Sequence, residues 1–446
     1  MKKALTYLLP VLIGLALLPI PLLRDLHFES AIVAGIIGCF WSGIRTASSS
    51  SKHDLFTSLR ILGMLYIAAV PLSVFAVMSG CLTLDGIGFW IFIPIPSVFL
   101  GTATGRLVRI SNLPYPKLLT TLILLFCAVG VLLIEFFTLP QVYFYNHVWG
   151  VWPGPIYDEA VKLTGSFLFF RFITLLWIVL LWALPDLNKN LTAKMISGLV
   201  LISLTVSYIN LDEAGIISPT RSIQQQLGGH HHTEHFELLY DEEFYSQDDI
   251  RYWATRHEFH FQQIITQLDI NWPEGQKIES YLYAHAWQKK TLTGAKFTSY
   301  VPIWLEQDQL HIAKQQLERV LKHELVHVIS KQFGNYLFNG SWSIGLIEGL
   351  AEAIASDASP RSTLHQIVAA EQPWPDAKEM KSALSLEGFY GSAGAISYTT
   401  SGSFVEYLMN EYPVDQIKQA YQTTNIEEAY STSFDELVTG LASNVK

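Results

Sequence analysis

Cysteine is scarce in this 446-residue chain, and residues 211–446 contain none. The three that exist, Cys39, Cys81 and Cys127, lie in or beside apolar runs, so the second half of the chain can hold no disulfide of its own. Charge is scarce as well. Only 15% of residues are charged while 50% are hydrophobic, and the mean hydropathy is +0.28. An ordinary soluble enzyme is not that apolar, and the composition points to membrane spans. A basic excess is also missing. Up to residue 210 there are 13 Lys and Arg against 8 Asp and Glu, and from 211 onward 16 against 31. The chain thus divides into a slightly basic apolar half and an acidic polar half, and the acidic half excludes nucleic acid as a partner. Finally, no A-x-A-like cleavage site follows the first apolar run, so it reads as a span rather than a removed leader.

Runs long enough to cross a bilayer fall near 5–23, 29–45, 58–79, 87–104, 117–138, 165–185 and 193–210, a working count of about seven. The fourth is interrupted by Pro94 and Pro96 and ends in Gly101-Thr102-Ala103-Thr104-Gly105, a small-residue spacing that suits close helix packing. Basic residues set the expected topology. With Lys2 and Lys3 inside, Arg45, Lys52, Arg60, Arg106, Arg109, Lys117, Lys189 and Lys194 are inside too, against Arg24 and Lys162 outside. An odd number of spans then delivers residues 211–446 to the extracytoplasmic side. Within the spans, Glu135 and Arg171 are expected to pair as a structural ion pair. The loop 139–164, with Tyr143, Phe144, Tyr145, Trp149, Trp152 and Tyr157, reads as an interfacial aromatic belt, or else as a platform near the membrane.

In the polar half, residues 211–234 read as a linker, and His230, His231, His232 and His235 as a solvated histidine cluster that can alternatively capture metal. A short strand is expected over His235–Tyr240, a helix over Asp249–Leu268 and a strand over Ile278–Tyr283. Further strands are expected within Thr291–Trp304 and over Leu310–Ile312.

The chemistry concentrates in His323-Glu324-Leu325-Val326-His327, an H-e-x-x-H pattern. Side chains four apart share one helix face, so His323 and His327 can bind one metal ion. Glu324, about 100° round the helix, can act on a metal-held water without ligating the metal. A catalytic zinc needs a third ligand and an open position. Glu348, separated from His327 by twenty residues, is the candidate ligand. Gly334-Asn335 and Asn339-Gly340 mark the turn between two helices, and Pro360 closes the second soon after Asp357. Glu352, one turn beyond Glu348, can accept the second ring N–H of a zinc histidine. Glu318, Arg319, Lys322 and Lys331 make the helix too charged to lie in a bilayer.

H-E-L-V-H followed by Glu348-Gly349-Leu350-Ala351-Glu352 resembles the gluzincin branch of the zincin metallopeptidases. It is similar to the peptidase MA-like domain of bacterial membrane and envelope proteins. The resemblance covers residues 235–446. It implies an α+β zincin domain, with Zn2+ held by His323, His327 and Glu348 and with Glu324 as general base. It also implies a tyrosine ahead of a Gly-Ser-Phe helix, matched by Tyr398 before Gly402-Ser403-Phe404, as donor to the oxyanion of a peptide substrate. An edge strand near Tyr300–Trp304 would pair with the substrate backbone. The expected protein is therefore a polytopic helical membrane bundle over 1–210, a linker over 211–234 and a gluzincin-like peptidase over 235–446. It would be set in a cell or inner membrane with its C-terminal domain outside. Two rivals remain: an idle zincin domain serving as a sensor or binding module, against which an intact Glu324 speaks, and a transporter, against which the lack of mid-span ionisable groups speaks. No amine-anchoring motif separates endo- from exopeptidase action.

Overall fold

The computed structural model describes residues 2–49, 53–155, 158–187, 190–356, 375–391 and 394–444. Lys52, Tyr157, Lys189, Asp357 and Pro360 lie outside the described residues. The chain forms two compact units. One is Met1–Pro219 with Leu292–Gly294, and the other is Thr220–Thr291 with Ala295–Lys446.

The first unit is helical: α1 (Lys2–Leu17), α2 (Phe28–Ala47), α3 (Asp54–Met78), α4 (Leu84–Phe92), α5 (Pro94–Ile110), α6 (Pro116–Leu125), α7 (Val131–Thr138), α8 (Gly165–Ala183) and α9 (Leu191–Ile209). Six stretches among the described residues are long and apolar enough to cross a membrane, with α4–α5 acting as one and α6–α7 as another. The expected seventh, α1, is only 16 residues long, about 24 Å against the ~30 Å of a hydrocarbon core. It packs along α3 nonetheless, and a Cβ on Gly14 would lie 2.1 Å from the Ala68 carbonyl oxygen.

Close approach governs the α2–α5 contact. A Cβ on Gly101 would lie 2.0 Å from the Cys39 carbonyl oxygen, and one on Gly105 would lie 2.2 Å from that of Gly43. The small residues noted in the sequence thus let two backbones touch.

Backbone carbonyls inside a bilayer need partners, and the breaks in these helices show where they come from. Pro94 and Pro96 have no N–H, so the carbonyls four residues earlier, at Trp90 and Phe92, lose their helical donors. Tyr66 Oη donates to the first at 2.9 Å and Arg171 Nε to the second at 2.7 Å. A π-turn over Phe126–Gly130 joins α6 to α7. The carbonyls of Cys127 and Ala128 there accept from Asn146 Nδ2 at 2.8 Å and Trp149 Nε1 at 2.9 Å.

Those donors belong to a hairpin, β1 (Phe144–Asn146) paired antiparallel with β2 (Gly150–Trp152). Tyr143, Phe144, Tyr145, Val148 and Trp149 in and beside it are buried. The loop is therefore not an interfacial belt: its described aromatics fill the core of the unit, and among these only Trp152 is substantially exposed, at 41%. The expected Glu135–Arg171 ion pair is not formed among the described residues. Arg171, 2% exposed, directs its remaining N–H groups to Asn146 and His147 carbonyls at 3.3 and 3.1 Å, the Ile93 carbonyl at 3.0 Å and Ser97 Oγ at 3.1 Å. Oxygens freed by the proline break and the hairpin bend are nearer and more numerous than one carboxylate, and they satisfy all five donors of a guanidinium.

The second unit opens with α10 (Thr220–Leu227) and a four-stranded sheet: β3 (Gly228–His232), β4 (Phe236–Asp241), β5 (Ile278–Tyr283) and β6 (Gln309–Ala313), in the order β3-β4-β5-β6. β3 is antiparallel to β4, and β4, β5 and β6 are parallel. Most of the expected linker thus belongs to the fold, because Gly228, at φ +77, turns α10 directly into a strand. His230–His232 form that strand rather than a solvated loop, and His230 Nδ1 lies 3.3 Å from Glu237 Oε1. α11 (Gln247–Gln267) matches the expected helix, with Ser246 and Asp249 capping each other reciprocally.

The Thr291–Trp304 strand is not formed. α12 (Ala286–Thr293) runs into this stretch and stops at Gly294, at φ +90. Only Tyr300 bridges to the sheet, antiparallel to His311. Phe236, Leu238, Ile278, Leu282, Leu310 and Ile312 give the sheet one apolar face, packed in one core with Ile250, Phe261 and Ile264 of α11. α13 (Lys314–Ser330) follows β6 without a loop, and α14 (Ile344–Ala355) follows a turn. Beyond them lie the helices Ala377–Leu384, Leu386–Gly391, Gly394–Glu411, Val414–Thr423, Ile426–Tyr430 and Phe434–Asn444.

Arg171→Met is expected to destabilise the first unit by several kcal/mol, since each carbonyl left unsatisfied costs ~1–3 kcal/mol. Arg171→Lys, with three donors for five acceptors, should recover only part of the loss. Thermal unfolding of the purified protein in detergent measures both. Native-like stability of the lysine variant would contradict the five-donor account.

Candidate metal centre

α13 buries Leu317, Leu321, Leu325 and Val328 in the core, a spacing of three to four residues that fixes the rotation of the helix. The adjacent face then carries His323 and His327. The far end of α13 is tied down where Lys331 Nζ meets Asp308 Oδ1 at 2.6 Å, with both side chains under 10% exposed. Lys331 also donates to the Leu305 carbonyl at 2.9 Å.

Two glycines pack α14 against the helices Ala377–Leu384 and Gly394–Glu411. A Cβ on Gly345 would lie 2.5 Å from Leu384 Cα, and one on Gly349 would lie 2.8 Å from the Ser401 carbonyl oxygen. No other residue permits this approach. Ser343 caps the helix by accepting from the Leu346 N–H at 3.2 Å. Glu348 and Glu352, one turn apart, then face α13.

His323 Nε2 and His327 Nε2 lie 3.2 Å apart, and Glu348 Oε2 lies 3.3 Å from the first and 3.5 Å from the second. A tetrahedral ion with bonds of about 2.0–2.2 Å needs ligand separations of about 3.3–3.5 Å. The three atoms therefore already outline one face of such a coordination shell. Two nitrogens and one carboxylate oxygen suit a zinc-like cation. Among the described residues this is the one cluster of three or more His, Cys, Asp or Glu with metal-binding spacing. The Glu348 and His323 side chains are each 15% exposed.

Around the triangle, His323 Nδ1 lies 3.4 Å from Glu352 Oε1, so the imidazole is bracketed by two carboxylates. His327 has no such orienting group: its Nδ1 is buried without a hydrogen-bond partner among the described residues. Its backbone is fixed instead. Ser330 Oγ donates to the His327 carbonyl at 3.1 Å, and Tyr421 Oη lies 3.2 Å from Ser330 Oγ. Tyr398 lies on the helix Gly394–Glu411 with its ring 4.9 Å from that of Phe389, and it is not part of the triangle.

The electrostatics follow from this crowding. Burial pulls the His323 imidazole down, but its bonds to Glu348 and Glu352 and the charges of Glu348 and Glu324 push it up to about 10. Burial works to raise the Glu348 carboxyl, and the two imidazoles hold it well below the usual carboxylate range instead. Glu324, 6% exposed, is raised by burial, with His323 and His327 opposing. The charge of Lys289 also opposes; that lysine is fully buried, with Nζ 2.9 Å from the Thr298 carbonyl oxygen and 3.0 Å from Gln316 Oε1. A buried carboxyl whose pKa is raised in this way is suited to exchanging protons with water.

No protein-family model, curated protein or solved structure matches this chain. The geometry of its own residues therefore carries the functional reading.

Sequence reasoning missed Tyr421, Ser330 and Lys289. Ser330 and Tyr421 are 91 residues apart, and nothing in either neighbourhood marks the pairing. The glycine pair Gly345 and Gly349, at helical spacing beside the carboxylates, was the available signal for close packing.

The raised His323 value has a measurable consequence. In the metal-free protein this imidazole is protonated at neutral pH, and a metal ion needs it neutral. Zinc binding should therefore release about one proton near pH 7, and apparent affinity should rise up to ~tenfold per pH unit until about 10. Calorimetry in buffers of different ionisation enthalpy reads the proton count. The sign for folding is the reverse. The metal-free protein gains full stability from this group below pH ~6.5, and loses it as pH rises through about 10.

Proposed function

We propose that this protein is a membrane-anchored, zinc-dependent peptidase acting on the extracytoplasmic side. The observation that carries the reading is the convergence of His323, His327 and Glu348 on one tetrahedral face, with the buried carboxylate of Glu324 next in sequence to the first ligand. Zinc held there by three protein ligands, with its fourth position open, would lower the pKa of water to near 7 and polarise a substrate carbonyl.

The protein's own groups supply the rest. Glu324 accepts the proton of the attacking water and passes it to the leaving amine of the cleaved peptide. Glu352 accepts from His323 Nδ1 and so fixes the tautomer that leaves Nε2 free. Ser330 and Tyr421 hold the last turn of α13 in place. Tyr398 is the candidate donor to the developing oxyanion, on the strength of the resemblance alone. A purely structural metal site has no need for a base, and burying Glu324 without a use for it would be a cost.

For the membrane, the six long apolar helices support anchoring. The extracytoplasmic placement requires α1 to cross as well, and its contact with α3 supports that. So does the meeting of several basic loops at one end of the bundle. Arg109 pairs with Asp54 at 2.7 Å and donates to the Thr46 carbonyl at 3.0 Å, while Arg106 reaches the Trp182 carbonyl at 2.7 Å. That end fits the cytoplasmic side.

The full-length protein, purified without chelator, should hold one zinc per chain. Glu348→Ala should lose it or bind it far more weakly. Glu324→Gln should keep the metal and lose about 10²–10⁴-fold in turnover of an unfolded polypeptide substrate. Metal analysis beside the activity assay separates the two effects, and native turnover by the glutamine variant would sink the peptidase reading. A tag fused at Lys446 should be cleaved by protease added outside intact cells, and its protection would reverse the proposed sidedness.

A further inference from the structure

β3 is the outermost strand of its sheet and pairs on one side only, with β4. Its sequence, Gly228-Gly229-His230-His231-His232, sets three histidines in a row, and the register decides what each can do. Successive residues of a strand point to opposite faces, and residues paired across an antiparallel ladder share a face. His231 pairs with Leu238 and therefore lies on the apolar face that packs against α11. His230 pairs with Leu239, and His232 pairs with Glu237. Both of these histidines thus lie on the opposite face, together with Glu237.

On that face the polar residues continue across the sheet. Glu237 is the register partner of Glu279 on β5. Two carboxylates side by side on neighbouring strands repel, which costs stability unless positive charge lies beside them. Glu279 Oε2 accepts from Tyr281 Oη at 2.6 Å and from Gln309 Nε2 at 2.9 Å, and both donors are neutral. Lys277, two residues before Glu279, donates to the Thr233 carbonyl at 2.7 Å. Glu237 itself meets His230, with Oε1 3.3 Å from Nδ1.

The backbone sets these side chains within reach of a single ion. Two apart on a strand, the Cβ atoms of His230 and His232 are separated by roughly 7 Å, little more than the ~5–6 Å between residues four apart on a helix. Glu237 stands across the ladder from His232 at ~5 Å, so the three side chains rise from the corners of one small triangle. His230 and Glu237 are already in contact, and His232, an exposed side chain, has to turn toward them. Two imidazole nitrogens and a carboxylate oxygen favour a zinc-like divalent cation over calcium or magnesium, which prefer oxygen alone. A cation there also offsets the repulsion between Glu237 and Glu279 and bolts the edge strand to its neighbour.

We propose that His230, His232 and Glu237 form a second divalent-cation site, in which a zinc-like ion pins β3 to β4. The site shares no residue with the centre on α13, so the claim stands or falls apart from the peptidase reading.

The test uses the full-length chain in detergent, carrying His323→Ala and His327→Ala so that both histidines of the α13 centre are gone. After equilibration with micromolar zinc, metal analysis should find one zinc per chain. Adding H230A/H232A should weaken binding by more than the ~10–100-fold that follows loss of a merely orienting group, and adding Glu237→Gln should weaken it as well. Adding His231→Ala instead should leave binding unchanged, because that ring lies on the other face. Zinc should also slow amide hydrogen exchange over residues 228–241, and this effect should be absent after H230A/H232A. Unchanged exchange in α11 reports that each variant is folded. The proposal is overturned if the His323, His327 variant binds no zinc, or if binding survives H230A/H232A or Glu237→Gln undiminished. A loss with His231→Ala as large as with the pair also overturns it, because a loose polyhistidine chelator behaves in that way.

Discussion

Three electron-rich atoms held 3.2–3.5 Å apart repel one another unless a cation or shared protons lie between them. A protein interior offers no reason to gather them, so the surrounding structure has to impose the arrangement. It does so with ordinary packing. Leucines at helical spacing fix the rotation of α13, a buried Lys331–Asp308 pair fixes its far end, and two glycines let α14 press against its neighbours until the carboxylates arrive. The positions of β6 and of the helix Gly394–Glu411 can be understood as supports for that one triangle.

Much of this was legible in the sequence, for a physical reason. Helical periodicity is local, so two histidines four apart and a glutamate one helix later already specify facing side chains. The gathering of His323, His327 and Glu348 and the Glu352 contact with His323 could be written down from spacing alone, and so could the strands expected over His235–Tyr240, Ile278–Tyr283 and Leu310–Ile312. Contacts between distant segments were not legible. The Ser330–Tyr421 pair joins residues far apart in the chain, and Lys289 reaches Gln316 from the helix that runs into the expected Thr291–Trp304 strand. The first residues of that stretch, Thr291–Thr293, close α12 instead, and Gly294 at φ +90 ends the helix.

The apolar half misled differently. Hydropathy finds the spans but says little about irregular backbone between them. Aromatic residues in a connecting loop and two opposite charges in neighbouring spans both had plausible surface explanations, a belt and an ion pair. The governing constraint was the hydrogen-bonding demand of broken helices. Two prolines and one π-turn created free carbonyls, and the aromatic hairpin and Arg171 are what meet them. A proline pair in a span is thus a cue to look for a buried donor elsewhere in the chain.

The hairpin also constrains the order in which the bundle is assembled. On one side it is bonded to carbonyls of the π-turn, which precedes it in the chain. On the other it offers its own carbonyls to Arg171, which emerges from the ribosome later. Until α8 arrives, the hairpin has half of its attachments, and the gap left by Pro96 has no donor. The preceding helical segments can therefore enter the bilayer one by one, but they lock into their final packing only when α8, the fifth of the six long apolar stretches, brings its single guanidinium. A chain released before that point would lack the last two long apolar stretches and keep an unfinished interior.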